Sequence, residues 1–550
     1  LTPEEISEAS KALKKSKNEP VTIKIGLTEQ QVAQFSERKP FFKGVTIQSK
    51  LTRTYPYSDL FAHVIGYVGR ISDNDSKKLD KKLYAGTDLI GKTGIEKYYE
   101  SLLLGKPGYQ SIETNAYGDI IKKLDTKPPI PGNDIYLSLD YGLQKLTSDL
   151  LNGKRGAAVA IDPSTGEILA FVSNPSFDPN PFITGISSRE YKALQQDPDM
   201  PLYNRALQGQ YPPGSSIKPI EGLAGIHYGI MGWDSSIYDP GYFSLPGDSH
   251  KFRDWKKSGH GNVNLHKSVV ESVDTYYYKL SYQLGIDRLH DWMTRFNFGS
   301  KTGIDLPGEK TGVYPSTEWK MKTYKKAWLP GETISVSIGQ GYFLATPLQI
   351  ANGIAMLASD GQHLTPHLLK KSTGAEHVTP IEKPDGKIQY NGNPDDWQRM
   401  HLAMEDVVKK GTAHNIYTPT YRIAGKTGTA QVKSIAQGKR YNEAALDSRH
   451  WDHGWFVGFA PVENPQIAIA VIVENGRHGG WVAPIVRKMM DYWLIDKIKK
   501  PIAPPSPEEL VKINAEKQAA KLQREALVLS GKPIVSKPNT AKLTAVGGAD

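Results

Sequence analysis

Ser215-Ser216-Ile217-Lys218 is an arrangement in this 550-residue chain that can do chemistry. It follows Tyr211-Pro212-Pro213-Gly214 and opens an apolar pattern that predicts a helix to about Ile230. Residues three apart at a helix start share a face, so Lys218 can reach the Ser215 hydroxyl. The unpaired N–H groups and the positive end of the helix dipole favour an anion developing there. A serine activated by an adjacent amine is a covalent nucleophile that needs no histidine. Ser272-Val273-Asp274 stands at a second predicted helix start, ahead of the pattern Tyr276 to Leu284, and offers a hydroxyl and a carboxylate across a cleft. Lys426-Thr427-Gly428-Thr429-Ala430 reads as an edge strand, where a cation and two hydroxyls flank a glycine that lets a substrate backbone approach.

The same triplets recur as decoys. Lys-Thr-Gly occurs four times, at Lys92, Lys301, Lys310 and Lys426; Ser-x-x-Lys also occurs at Ser36 to Lys39, and Ser72-Asp73-Asn74 resembles the middle motif. Ser36 falls at the end of the helix predicted from Thr28 to Phe35, with Pro40 directly after Lys39, so no helix start is aimed at its hydroxyl. Lys92-Thr93-Gly94 precedes a predicted helix, and Lys301 and Lys310 lie in a Gly/Pro loop. Only Lys426 is followed by two strong strands. Gly86 to Thr93 fits the phosphate-loop pattern, but no buried strand is predicted before Gly86; a helix-start turn is expected there. Asp239, Asp254 and His260 lie in a Gly-rich region and are of types that ligate zinc; three candidates without a fourth favour hydrogen-bonded loop residues. His450, Asp452 and His453 are expected at exposed loop positions.

Positioning such a cleft takes a sizeable core, and 39% apolar residues supply one. Three stretches are legible. Residues 1 to 135 carry charged, interrupted patterns: a helix start at Thr2-Pro3, then short elements over Leu60 to Val68 and Ile95 to Leu104. Residues 136 to 496 contain two hairpins. One joins Ala157 to Ile161 with Ile168 to Val172 through Asp162-Pro163-Ser164-Thr165-Gly166; the other joins Trp455 to Ala460 with Ile467 to Val473. A strand at Ile135 to Leu139 and a helix at Tyr141 to Leu151 precede the first. An antiparallel sheet built from both ends of this domain, with a helical insertion between, follows. Residues 497 to 550 are a Lys/Pro-rich tail in which Ser506 and Pro507 start one helix to about Leu529, the rest being expected to be disordered.

Composition excludes several classes. With no cysteine, thiolate catalysis, disulfides and Cys-ligated metals are out. The net charge of +10 sits half in the tail, where residues 497–550 hold ten Lys/Arg against five Asp/Glu, and no basic stripe interleaves with aromatics, so no nucleic-acid partner is expected. Mean hydropathy is −0.45, and the longest apolar run found, Ile467 to Val473, is far short of the roughly 20 residues that cross a bilayer. Any anchor is expected upstream of Leu1.

Ser-x-x-Lys, Ser-x-Asp and Lys-Thr-Gly in this order resemble the penicillin-binding proteins and serine β-lactamases. Tyr211-Pro212-Pro213-Gly214-Ser215, Arg253-Asp254-Trp255, Gly339-Gln340-Gly341-Tyr342, Ala345-Thr346-Pro347-Leu348-Gln349 and Gly425 to Ala430 narrow this. The likeness, over roughly residues 40 to 495, is to class B penicillin-binding proteins of the elongation type, the penicillin-binding protein 2 group.

The resemblance implies an α+β penicillin-binding transpeptidase fold, with a central antiparallel sheet flanked by helices and an all-helical subdomain. Before it would stand an elongated, non-catalytic α+β pedestal of the dimerisation type. The implied activity is D,D-transpeptidation of peptidoglycan stem peptides ending in D-Ala-D-Ala, with β-lactams as covalent inhibitors. Ser215 would be the nucleophile, Lys218 its general base and Ser272 a proton relay to the leaving amine. Lys426, Thr427 and Thr429 would hold the terminal carboxylate, and the N–H groups of Ser215 and Thr429 the oxyanion. Asp274 stands where most of the wider family has Asn. No cofactor is implied; some members carry zinc with a Cys as fourth ligand, which leaves Asp239, Asp254 and His260 as a three-residue structural candidate. The implied partners are lipid-linked nascent glycan, a SEDS-type membrane glycosyltransferase and other elongation proteins, on the periplasmic face of the inner membrane. Alternatives within and beyond this chemistry are a β-lactam-hydrolysing or β-lactam-sensing protein and a non-catalytic cell-wall scaffold.

Overall fold

The computed structural model describes residues 3–15, 21–24, 26–42, 44–49, 52–114, 120–374, 386–432 and 447–529. Helix α1 (Pro3–Lys15) begins at the expected proline. Helix α2 (Glu29–Arg38) is opened by a capping box in which Thr28 and Gln31 satisfy each other's backbone N–H groups. A 3-10 turn (Ser58–Phe61) and a single helical turn (Ala62–Ile65) lead into β1 (Val68–Arg70), which pairs antiparallel with β2 (Leu89–Gly91). Two short helices, Gly94–Tyr98 and Glu100–Leu103, precede the hairpin of β3 (Tyr109–Thr114) and β4 (Ile120–Lys127).

The second unit opens with β5 (Asp134–Leu137) and α3 (Tyr141–Leu151), the latter capped by Asp140, whose carboxylate accepts from Leu143 N at 2.8 Å. Strands β6 (Gly156–Ile161) and β7 (Ile168–Asn174) form the first predicted hairpin; Asp162 closes its turn by accepting from Ser164 N and Gly166 N. The helical insertion contributes α4 (Lys218–His227), α5 (Leu265–Val270), α6 (Asp274–Leu284) and α7 (Pro347–Ala358). After it come β8 (Leu369–Thr373), which pairs with β5, and α8 (Asp395–Lys409). Strands β9 (Ala424–Ala430), β10 (His453–Ala460) and β11 (Ile467–Val473) complete a five-stranded antiparallel sheet in the order β9-β10-β11-β6-β7.

The two ends of the domain therefore meet in register, Val471 opposite Ala158, and β9 is an edge. Every residue of β6 and β11 is buried, which requires cover on both faces of the sheet. Helix α7 is buried along its length and packs on β6, β10 and β11; α8 packs on β9; α9 (Gly479–Asp491) packs on β10 and β11. The tail helix α10 (Pro507–Leu529) starts at Ser506 with a capping box to Glu509, as predicted; residues 530–550 lie outside the described residues. No helix among the described residues is long and apolar enough to cross a membrane.

The segment 55–63 is stapled to the second unit by side chains reading its backbone. Asn180 donates to Tyr55 O (3.0 Å) and accepts from Tyr55 N (2.9 Å), Ser176 donates to Asp59 O (2.7 Å), Gln144 to Leu60 O (3.0 Å) and Asn204 to His63 O (2.9 Å). Further along, Tyr99 donates its hydroxyl to the fully buried Asp305 (2.8 Å), which also accepts from Leu368 N and Leu369 N.

Candidate active site

Ser215 stands on a 3-10 turn (Gly214–Ile217), and the α-helix begins only at Lys218, with Pro219 in its first turn. This differs from the predicted start at Ser215. The turn packs directly on β9. Gly214 has φ +56°, and a Cβ there would lie 2.4 Å from Thr429 O; one on Gly428 would lie 2.9 Å from Pro213 O. The two glycines thus allow the serine turn and the edge strand to approach more closely than side chains permit. Gly214 N donates to Gly339 O, and Gln340 reaches Thr429 O at 3.4 Å, so the Gly339-Gln340 segment bridges both. Upstream, Tyr211 donates to Glu474 (2.7 Å), which also accepts from the fully buried Arg205 (2.8 Å), fixing the loop that leads to Ser215.

Lys218 has no exposed surface. Its Nζ donates to Asp274 Oδ1 (2.6 Å), Ser272 O (2.9 Å) and Ser272 Oγ (3.4 Å). That uses all three donors of an ammonium. The predicted Lys218 to Ser215 bond is not formed: among the described residues the half-buried Ser215 hydroxyl has no hydrogen-bond partner. An ionised carboxylate outcompetes a neutral hydroxyl for the cation. Ser272 has φ +58°, a left-handed conformation that costs of order 1 kcal/mol or more for a non-glycine residue, and it turns both carbonyl and hydroxyl onto Lys218.

Lys426 is also fully buried, with Nζ 3.3 Å from Thr427 O. Burial holds its amine well below the ordinary 10.5, the Lys218 charge pushes the same way, and Asp274 opposes both. Thr427 Oγ1 is 2.7 Å from Thr412 Oγ1. The fold thus joins Lys218, Ser272 and Asp274 by direct bonds and sets them, through the Ser215 turn, against Lys426, Thr427, Gly428 and Thr429.

The decoys have local roles. Ser36 donates back to Val32 O within α2, Ser72 caps the turn Asp73–Ser76, and Lys92 pairs with Asp75 at 2.5 Å. Residues 81–86 are turns, and β2 lies inside the phosphate-loop pattern instead of before it. Lys301 and Lys310 are exposed loop residues.

Asp239, Asp254 and His260 are all buried and offer atoms within 4.8 Å of one another. Asp239 accepts from Gly241 N (2.7 Å), His260 N (2.9 Å) and His260 Nδ1 (2.7 Å). Burial alone would raise its pKa, but these bonds outweigh it and hold the carboxyl below the usual range. Asp254 accepts from Asp274 N (2.7 Å) and Thr275 N (3.1 Å), and so caps α6 from a distant loop, because Val273 at the cap position cannot. Burial, then the Asp274 charge, raise the Asp254 pKa. Structural zinc sites take four protein ligands, and this donor set is one short. Glu271 stands 3.9 Å from His260 Nε2, the opposite side of the ring from Nδ1, where both aspartates gather. His260 Nε2 is buried without a hydrogen-bond partner among the described residues, and the three residues alone do not complete a four-ligand site.

Four residues are not read from the sequence alone. Thr412 and the capping role of Asp254 carry no local signal, since their partners lie far along the chain. His453, expected in an exposed loop, is instead the first residue of β10; its ring packs 5.7 Å from Tyr211, and burial lowers its pKa. Asp452 is buried as well, whereas His450 is exposed as expected.

The family profile "Penicillin binding protein transpeptidase domain" matches residues 156–491, and "Penicillin-binding Protein dimerisation domain" matches residues 1–137. The chain is 59% identical over 505 residues to the peptidoglycan D,D-transpeptidase MrdA of Acinetobacter baumannii, covering 92% of this chain and 75% of that protein. It is similar to the crystal structure of Pseudomonas aeruginosa PBP2 in complex with WCK 5153, at TM-score 0.73 and 46% identity, covering 84% of this chain and 95% of that one. It is also similar to Helicobacter pylori PBP2 in its complex with MreC, at TM-score 0.77 and 32% identity, covering 90% and 92%. With the serine turn, the lysine–carboxylate pair and the edge strand assembled on this sheet, the chain belongs to the penicillin-binding protein transpeptidase family.

Proposed function

We propose that the protein is a peptidoglycan D,D-transpeptidase of cell elongation that works through a Ser215 acyl-enzyme. The observation that carries the reading is the buried Lys218–Asp274–Ser272 cluster, set by the Ser215 turn against β9. Ser215 Oγ attacks the penultimate D-Ala carbonyl and passes its proton to Lys218. Asp274 makes this feasible despite the ion pair, because in a low-dielectric site a lysine–carboxylate pair can neutralise by moving one proton across 2.6 Å. The N–H groups of Ser215 and Thr429 receive the oxyanion, an interaction for which one donor is typically worth about 100- to 1000-fold in rate. Ser272 hands its proton to the departing D-Ala amine as it takes the one held on Lys218, 3.4 Å away, and an acceptor amine from a neighbouring strand resolves the acyl-enzyme. Lys426, Thr427 and Thr429 hold the terminal carboxylate. No step uses a cofactor, and we read Asp239, Asp254 and His260 as a hydrogen-bonded support instead of a structural zinc site.

The setting that fits is the periplasmic face of the inner membrane, with nascent glycan as substrate and a membrane glycosyltransferase as partner. The likeness to a PBP2 in complex with MreC supports an elongation assembly. Incubation with a fluorescent penicillin followed by intact mass and gel fluorescence tests the reading. Wild type and Ser36→Ala should carry one stable label and Ser215→Ala none. A label surviving Ser215→Ala, or rapid release of hydrolysed drug from wild type, overturns it.

A further inference from the structure

Thr412 follows α8 in the turn Lys410-Gly411-Thr412-Ala413, and three contacts leave it little freedom. Gly411 N and Ala413 N both donate to Val407 O at 3.1 Å. A Cβ on Gly411 would lie 2.5 Å from Val270 O, so the turn is seated on the end of α5. Asn415 donates to Gly480 O (3.0 Å), tying the following residues to the start of α9. From this seat Thr412 sends its hydroxyl to Thr427, 2.7 Å away. Thr412 is half-buried, and its hydroxyl has no other hydrogen-bond partner among the described residues.

A hydroxyl pair shares a single hydrogen bond, so one member donates and the other keeps its proton. If Thr427 donated, it would face an incoming carboxylate with lone pairs only. We propose that Thr412 is a positioning residue that donates to Thr427 Oγ1 and leaves the Thr427 proton for the substrate's terminal carboxylate. Donation to an ion is about twice as strong as donation to a neutral oxygen, so the bound anion selects this direction. The accepted bond then polarises the Thr427 hydroxyl further. Thr412 touches no reacting atom; it fixes the rotor that does. The inference rests on the transpeptidase reading above and deepens it by naming what orients the carboxylate contact.

The test measures acylation of Ser215 by a fluorescent penicillin and by its methyl ester in wild type, Thr412→Val and Thr412→Ser. With the free acid, Thr412→Val should lower the acylation efficiency about 2- to 13-fold, the usual net worth of one hydrogen bond between neutral groups. The loss should appear in the half-saturating concentration, with the limiting rate within twofold. The ester should be acylated equally by wild type and Thr412→Val, and Thr412→Ser should restore the acid. An unchanged Thr412→Val, an equal loss with acid and ester, or failure of Thr412→Ser to rescue overturns the inference alone. Absence of any Ser215 adduct on wild type overturns the transpeptidase reading and this inference with it.

Discussion

Lys426 is an ionisable side chain without exposed surface, and among the described residues its Nζ has only the carbonyl of its own neighbour as hydrogen-bond partner. Its pKa in the folded chain is depressed by burial first and by Lys218 second. Between its depressed folded pKa and the ordinary 10.5 the unfolded chain binds more protons than the folded one, so this lysine destabilises the fold most at low pH. The penalty fades as pH rises toward the ordinary 10.5. Replacing it with an apolar side chain of similar length removes a buried, under-bonded polar group and should stabilise by about 1–3 kcal/mol. Lys426→Met is expected to raise the Tm at pH 6, to lose that advantage by pH 10, and to abolish penicillin acylation. Thermal melts across that range check it, and a lowered Tm or a pH-independent gap contradicts it. At this scale the sequence was informative wherever the chemistry is contiguous. Ser215 and Lys218, Ser272 and Asp274, and Lys426 to Thr429 each declare themselves within five residues. Thr412 and Asp254 do not, because a hydroxyl 15 positions before Thr427 or a carboxylate 20 before Asp274 becomes a partner only after folding.

Helix α6 shows what such a distant partner does for an element. Its first two N–H groups, one buried and one partly buried, would lose their partner without Asp254, whose negative charge also suits the helix N-terminus. Asp254→Ala should cost about 1–3 kcal/mol through those unsatisfied donors and slow acylation, because Asp274 and its bond to Lys218 ride on the same turn. Chelator treatment of wild type should leave both Tm and acylation unchanged. A chelator effect as large as that of Asp254→Ala would mean that a metal holds this support. Element boundaries were legible where turn chemistry marks them, as at Asp162 to Gly166 or Ser506. The helix predicted from Ser215 to Ile230 was misplaced at both ends although the signals were present. Pro219 belongs in a first helical turn, which puts the start at Lys218, and Gly229, at φ +65°, lies just beyond the end at His227. The pairing of β5 with β8 is invisible in sequence, since 231 residues lie between Leu137 and Leu369.

Across the whole molecule, the first stretch is joined to the catalytic unit by apolar packing, with Val64, Ile95 and Tyr99 in the same buried cluster as the sheet, by polar bonds to backbone, and by one buried carboxylate. Asp305 accepts from Tyr99 while holding Leu368 N and Leu369 N at 2.7 and 2.8 Å, so it binds the pedestal and β8 in one node. Burial, and then the Asp305 charge, push the Tyr99 phenol far above its ordinary range, so it stays a donor at every pH the enzyme meets. Tyr99→Phe removes one donor from a buried anion and should destabilise by about 1.5–3 kcal/mol, read as a lower denaturation midpoint, with Ser215 acylation retained in the folded fraction. A midpoint equal to wild type would mean the node contributes nothing.

The staples on residues 55–63 also dictate how the molecule can be pared down. A fragment begun at residue 136 would keep Gln144, Ser176, Asn180 and Asn204 but lose the backbone they hold. The face now covered by Phe61, Ala62 and Val64 would be bared to solvent. A cut ahead of Arg53 spares all of this. The arm of β3 and β4 leaves and re-enters through the paired Lys106 and Ile130, whose backbones exchange hydrogen bonds at 2.8 and 2.9 Å. A short turn between those two positions would bypass the arm and close the chain on itself, leaving a smaller scaffold for ligand soaking or library display.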